Sequence, residues 1–243
     1  MVTGAASGMG AATARLFAAQ KARVAVTDLS AAACEQVVSG ISDDHGEAMA
    51  FPLDVGDGEA ISRVVPEIAE ALGGLDVIVN NAGVAALSRM GDEDYFAVWA
   101  RIFPVLLEGQ ARVIQAALPF LSRSLHPRIV NIASTEALGA TAGNSVYAAA
   151  KAGVTGLTRA LAVELGPQGI TVNAICPGPI ETGMTSEIPE EDKRAFARRR
   201  TALRRYGRPE EVAHVTVSLS MPGASYITGA TIPVDGGLMA RNA

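Results

Sequence analysis

Tyr147 and Lys151 stand four residues apart in "SVYAAAKAG" (145–153), on a track of alanines. On a helix, residues at this spacing face the same way with Cβ atoms about 5–6 Å apart, so the phenol and the ammonium project together. A cation near a phenol favours the phenolate. At an effective dielectric of about 20, a unit charge about 5 Å away contributes about 3 kcal/mol, enough to lower the phenol's pKa by about 2. The expectation is a tyrosine that exchanges protons near neutral pH. The choice of lysine is informative, because the chain has 17 arginines and three lysines, and Lys151 is one of the three. A compact ammonium suits a position that must serve both a phenol and ribose hydroxyls. The Y-x-x-x-K spacing also occurs on ordinary amphipathic surface helices, so the pair needs a third group. Ser134, 13 positions before Tyr147 at the end of the apolar run "RIVNIAS" (128–134), supplies it. The chemistry this set implies is hydride transfer: Tyr147 takes an alcohol proton or gives one to a ketone, while Ser134 orients the oxygen.

Such groups need a frame that brings a strand end beside a helix start. Apolar β-rich runs at 24–28, 48–54, 75–80, 128–134, 170–176 and 230–235 follow a first strand ending at Thr3. Between them lie helical candidates near 9–20, 31–40, 57–72, 92–123, 145–166 and 208–220. The runs are continuously apolar, the pattern of strands covered on both faces. The expected fold is a doubly wound, Rossmann-type parallel α/β sheet of about seven strands. Residues 1–243 are expected to form a single domain, without linker or internal repeat. Ligands of such sheets bind beyond the carboxyl ends of the strands.

The first of those ends is "TGAASGMG" (3–10). Gly4, Gly8 and Gly10, with Ser7 and Met9 among them, allow a tight turn, close approach of a pyrophosphate and close packing of the next helix. A glycine-rich turn alone is also ordinary helix-start chemistry. Asp28 gives it context, closing the second strand 18 residues beyond Gly10 with Leu29 after it. There a carboxylate accepts hydrogen bonds from the adenosine ribose and repels a 2′-phosphate. No arginine or lysine stands beside Asp28 or inside the turn, so NAD is expected over NADP. Asp28 as a helix N-cap is the competing role, and Ser30 fills that role too. Asp54 and Val55, and Asn81, Ala82 and Gly83 of "NNAG" (80–83), fall where an adenine edge and a ribose would lie. Loop asparagines also serve as plain turn formers.

Composition narrows the partners. A formal net charge of −5 argues against nucleic acid or an anionic membrane, and no apolar stretch is long enough to span a bilayer, so small molecules and a cytoplasmic setting are expected. Cys34 and Cys176, and His45, His126 and His214, are too scattered to signal a disulfide framework or a metal site.

The motifs "TGAASGMG", "NNAG", Ser134 with "YAAAK", "NAICPGPIET" and "ITGATIPVDGG" together resemble the short-chain dehydrogenase/reductase family over essentially the whole chain. The resemblance implies that Ser134, Tyr147 and Lys151 are catalytic and that Lys151 also holds the nicotinamide ribose. It further implies that Pro177, Gly178, Ile180 and Thr182 anchor the nicotinamide end, and that the chain forms a homotetramer. Two departures stand out. Leu106, seven residues after Trp99, occupies the position of a family asparagine that shapes a helix irregularity holding a proton-relaying water. Pro104, which frees a carbonyl four positions back and bends a helix, is expected to substitute in part; an impaired relay is the alternative. Only Met1 and Val2 precede Thr3, so a central first strand is expected to be short and weakened.

Substrate signals are sparser. Glu136 and Asn144 flank the Ser134 and Tyr147 pair and are expected to line the pocket together with them. Arg194, Arg198, Arg199, Arg200, Arg204 and Arg205, in the variable segment 184–211, suit either an anionic substrate or a solvated helix balanced by Glu187, Glu190, Glu191 and Asp192. The leading function is an NAD-dependent dehydrogenase of a secondary alcohol, or the corresponding ketone reductase. An NADP-linked 3-oxoacyl thioester reductase, and a dinucleotide-binding regulator with little turnover, are the alternatives.

Overall fold

Continuous apolar runs become the inner strands of a sheet because each of their faces meets a helix, while the edge strands stay half exposed. The computed structural model describes residues 1–85 and 87–241. Strands β1 (Val2–Thr3), β2 (Arg23–Asp28), β3 (Glu47–Pro52), β4 (Val77–Asn80), β5 (Arg128–Ile132), β6 (Thr171–Pro177) and β7 (Thr231–Val234) form one sheet, ordered β3-β2-β1-β4-β5-β6-β7. Every neighbouring pair is parallel. The helices are α1 (Gly8–Ala19), α2 (Ala31–Asp43), α3 (Gly58–Leu72), α4 (Tyr95–Phe103), α5 (Gly109–Leu121), α6 (Ser145–Leu165), α7 (Glu190–Arg200) and α8 (Pro209–Ser220). Adjacent strand residues serve opposite layers. Ile78, Ile129 and Val172 pack with buried side chains of α3, α5 and α6, whereas Val79, Val130 and Ile175 pack with those of α1, α2 and α8.

β1 is central and two residues long, paired to β2 through Val2↔Val26 and Thr3↔Thr27 and to β4 through Val2↔Val79. Chain order reverses between β1 and β4, which opens a crevice at the carboxyl edge. Two features depart from simple periodicity. The stretch expected as one helix over 92–123 is two, α4 and α5, joined by a π turn at Pro104–Glu108. The arginine-rich segment forms α7, which buries Ala197 alone among its residues. No helix among the described residues is long and apolar enough to cross a membrane.

Candidate active site

The carboxyl edge is assembled around the glycine turn. Gly4 and Gly8 have φ of +62° and +52°, a left-handed conformation that favours glycine. A Cβ at Gly10 would lie 2.1 Å from the Gly4 carbonyl oxygen, so only glycine lets α1 start this close to β1. The first intrahelical bond runs from Ala11 N–H to Ser7 O, which leaves the amides of Gly8, Met9 and Gly10 pointing out of the positive end of α1. A phosphate fits such an end. Thr182 closes the far side, its Cγ2 3.2 Å from where a Gly8 Cβ would sit, and the groove between them continues along Ala6, Ser7 and Gly183.

Asp28 reaches into the same turn. Its Oδ2 accepts from Ala6 N–H at 3.2 Å and its Oδ1 from Leu29 N–H at 2.7 Å, while the Leu29 side chain is exposed. Ser30, not Asp28, caps α2, accepting from Ala33 N–H. Asp54 Oδ1 accepts from Gly56 N–H at 2.7 Å and holds the loop after β3, where Val55 is buried. Asn81 is turned inward and donates to the Thr3 and Gly4 carbonyls at 2.9 and 3.0 Å. The Thr3 hydroxyl accepts from the amides of Asn81 and Ala82, at 3.0 Å each, and so fastens "NNAG" with Gly83 to the glycine turn. Sequence reasoning missed Thr3 as the fastener, because a threonine at a strand end carries no special signal. Pro177 ends β6, Gly178 donates its N–H to Val234 O, and Ile180 bridges to Gly207.

Ser134, Tyr147 and Lys151 converge beyond β5. Ser134 follows the strand in extended conformation and its hydroxyl accepts from Glu136 N–H at 3.1 Å. Tyr147 and Lys151 share one face of α6, with Nζ 5.7 Å from the phenol ring centroid. The lysine is 3% exposed and donates to Ile132 O at 2.8 Å. Here the electrostatic expectation is overturned. Burial pushes the Tyr147 hydroxyl above the ordinary phenol range, opposed by the nearby Ser134 hydroxyl and reinforced by the Glu136 and Cys176 charges. The cause is geometric: the ammonium is aimed at a carbonyl and lies over the ring, so its field on the hydroxyl does not outweigh desolvation. Burial also lowers Lys151 to about 8, with the Cys176 charge opposing. The Y-x-x-x-K spacing therefore fixes direction but not acidity.

Asn144 precedes α6, and its backbone bridges to Ser88 from the loop after β4. The Glu136 carboxylate is occupied by Thr141, accepting from its N–H at 2.9 Å and its hydroxyl at 2.7 Å. The arginines at 194, 198, 199, 200 and 204 are exposed, and Arg205 forms a bidentate pair with Glu211 at 2.6 and 2.7 Å, which favours the solvated-helix reading.

The helix irregularity is present without the asparagine. Gly109 N–H reaches back five residues to Pro104 O across the π turn, and Leu106 within it is fully buried, packed near Tyr147, Val146 and Ala150. Pro104 lacks the N–H that a regular helix would use there, so the backbone takes the wider turn. Leu106→Asn is therefore expected to bring no gain in turnover while costing at least about 1–3 kcal/mol of stability from a buried amide. Steady-state kinetics and denaturant unfolding check both, and a large gain in rate would show that the turn alone does not replace the side chain.

A family model described as "Enoyl-(Acyl carrier protein) reductase" matches residues 4–239. The 3-oxoacyl-[acyl-carrier-protein] reductase FabG of Thermotoga maritima is 40% identical over 98% of this chain and 96% of its own. The meso-2,3-butanediol dehydrogenase of Serratia marcescens is 41% identical over 100% of this chain and 94% of its own. A crystal structure from Sinorhizobium meliloti 1021, assigned as a short-chain alcohol dehydrogenase, superposes with a TM-score of 0.93 at 37% identity, covering 98% of this chain and 95% of that one. With the parallel sheet, the glycine turn and the serine, tyrosine and lysine cluster on one edge, these matches make the chain an oxidoreductase of the short-chain dehydrogenase/reductase family.

Proposed function

We propose that the chain is an NAD-dependent oxidoreductase acting between a secondary alcohol and its ketone, with residues 1–243 working as one catalytic domain. The observation that supports the cofactor choice is Asp28, whose carboxylate bonds to the glycine turn through Ala6 N–H at the end of β2; a carboxylate at that strand end accepts from an adenosine ribose and opposes a 2′-phosphate. The amides of Gly8, Met9 and Gly10, in the turn formed with Gly4 and Ser7, hold the pyrophosphate. Asp28 and Leu29 border the adenosine ribose, Asp54 and Val55 the adenine, and Asn81, Ala82 and Gly83 the strand edge between the two halves. Pro177, Gly178, Ile180 and Thr182 border the nicotinamide. When bound, the nicotinamide accepts or returns the hydride. Ser134 orients the substrate oxygen, Tyr147 takes or gives the proton at that oxygen, and Lys151 positions the ribose beside the phenol. Exposed Phe96 on α4 and Val163 on α6 support a homotetramer, the negative net charge supports a small-molecule partner over nucleic acid, and a cytoplasmic setting is part of the same proposal.

A panel of secondary alcohols with NAD, followed by absorbance of the reduced cofactor, tests this: turnover is expected with NAD and much less with NADP. The thioester reductase reading draws on the FabG relative and would be favoured by tight NADP binding with 3-oxoacyl thioester reduction. Tight NAD binding without turnover across the panel would favour the regulator.

A further inference from the structure

Glu136 is an acidic residue two positions after Ser134, and its two bonds, to the amide and hydroxyl of Thr141, come from neutral donors. Among the described residues no cation pairs with it. Its carboxylate is thus fixed in place without a cationic partner, and it acts electrostatically to raise the Tyr147 hydroxyl. The ionisable groups around that hydroxyl are Glu136, Cys176 and, over the ring, Lys151. The Glu136 backbone simultaneously donates to the Ser134 hydroxyl at 3.1 Å, so one residue both orients the serine and contributes to the field at the phenol beside it. The 136–144 segment forms a wall here: Gly139 leaves room for the Met239 thioether, and Gly143 O accepts from Ser88 N–H.

We propose that Glu136 determines the charge preference of the substrate cleft, admitting uncharged secondary alcohols and ketones and discriminating against substrates with a carboxylate close to the carbinol carbon. The inference rests on the hydride-transfer reading above. A carboxylate brought up to the buried phenol and the half-buried Glu136 meets a like charge that repels it, whereas an uncharged hydroxyl or alkyl group meets no such penalty. The Thr141 clamp matters because a carboxylate free to swing into solvent would be screened.

The test compares 2,3-butanediol with 3-hydroxybutanoate, similar in size and different in charge. Glu136→Gln keeps an acceptor for Thr141 and removes the charge, and is expected to raise kcat/KM for 3-hydroxybutanoate relative to 2,3-butanediol by at least about tenfold. Thr141→Val removes the hydroxyl half of the clamp and leaves the carboxylate in place, and is expected to move the ratio in the same direction as Glu136→Gln but by less. An unchanged ratio in an active Glu136→Gln protein overturns the proposal. A readout free of catalysis is the ultraviolet titration of Tyr147, isolated as the difference from Tyr147→Phe. Its phenolate is expected at lower pH in Glu136→Gln, and an identical titration overturns the proposal as well. If the unaltered protein oxidises neither alcohol, the hydride-transfer reading is what fails, and the phenol titration still decides whether Glu136 imposes its charge.

Discussion

Tyr147→Phe is expected to lower turnover by about 10²–10⁴-fold with the fold and cofactor affinity retained. The ring packs near Leu106, Val146 and Ala150, and phenylalanine fills the same space, so the change removes the hydroxyl with little cost in packing. The pH profile gives the same claim a sign. Burial holds the phenol above its ordinary range and Lys151 down to about 8, so at neutral pH the pair is phenol and ammonium. Alcohol oxidation needs the phenol to have lost its proton, and its rate should therefore rise with pH as the pair loses one proton. Ketone reduction uses the protonated phenol and should slow over the same range. The two groups share that step, and the apparent value belongs to the pair. Residual activity in Tyr147→Phe should lack this dependence. A Phe variant with near-normal turnover and an unchanged profile would remove Tyr147 from the proton path.

Strand positions were legible because burial on two faces leaves an unbroken apolar run, which is why "RIVNIAS" and "ITVNAIC" read correctly as β5 and β6. An irregularity at Pro104 was legible within the 92–123 stretch, but its form, a π turn dividing the stretch into two helices, was not. Proline shows where a helix must deviate but not whether it kinks, stops or widens into a π turn, a choice made by packing against α6. The glycine turn, Asp28 and the α6 pair were legible as places, since φ requirements and helical spacing are local. Acidity was not, because it depends on where the Lys151 ammonium points and how dry the phenol is, and Ile132 O settles the first. The roles of Thr3 and Thr141 are set entirely by tertiary contacts and leave no trace in spacing.

Asp28→Asn is expected to shift kcat/KM toward NADP relative to NAD by about 100-fold, the second large effect. A unit charge about 5 Å from a phosphate charge, at an effective dielectric of about 20, opposes binding by about 3 kcal/mol, which is about two powers of ten. Asparagine is chosen because it removes the charge and keeps one acceptor, for Ala6 N–H, giving up only the local bond from Leu29 N–H, where alanine would release both and with them the glycine turn. The melting temperature should therefore stay close to that of the parent, which separates an electrostatic loss from a collapsed turn. NAD should weaken less than NADP strengthens, because the amide still accepts from a ribose hydroxyl. Steady-state kinetics with both cofactors at fixed alcohol concentration read the ratio directly. An unchanged ratio in a well-folded Asp28→Asn protein would mean that the carboxylate does not face the 2′ position, and the proposed preference for NAD would then lose its physical basis in this chain.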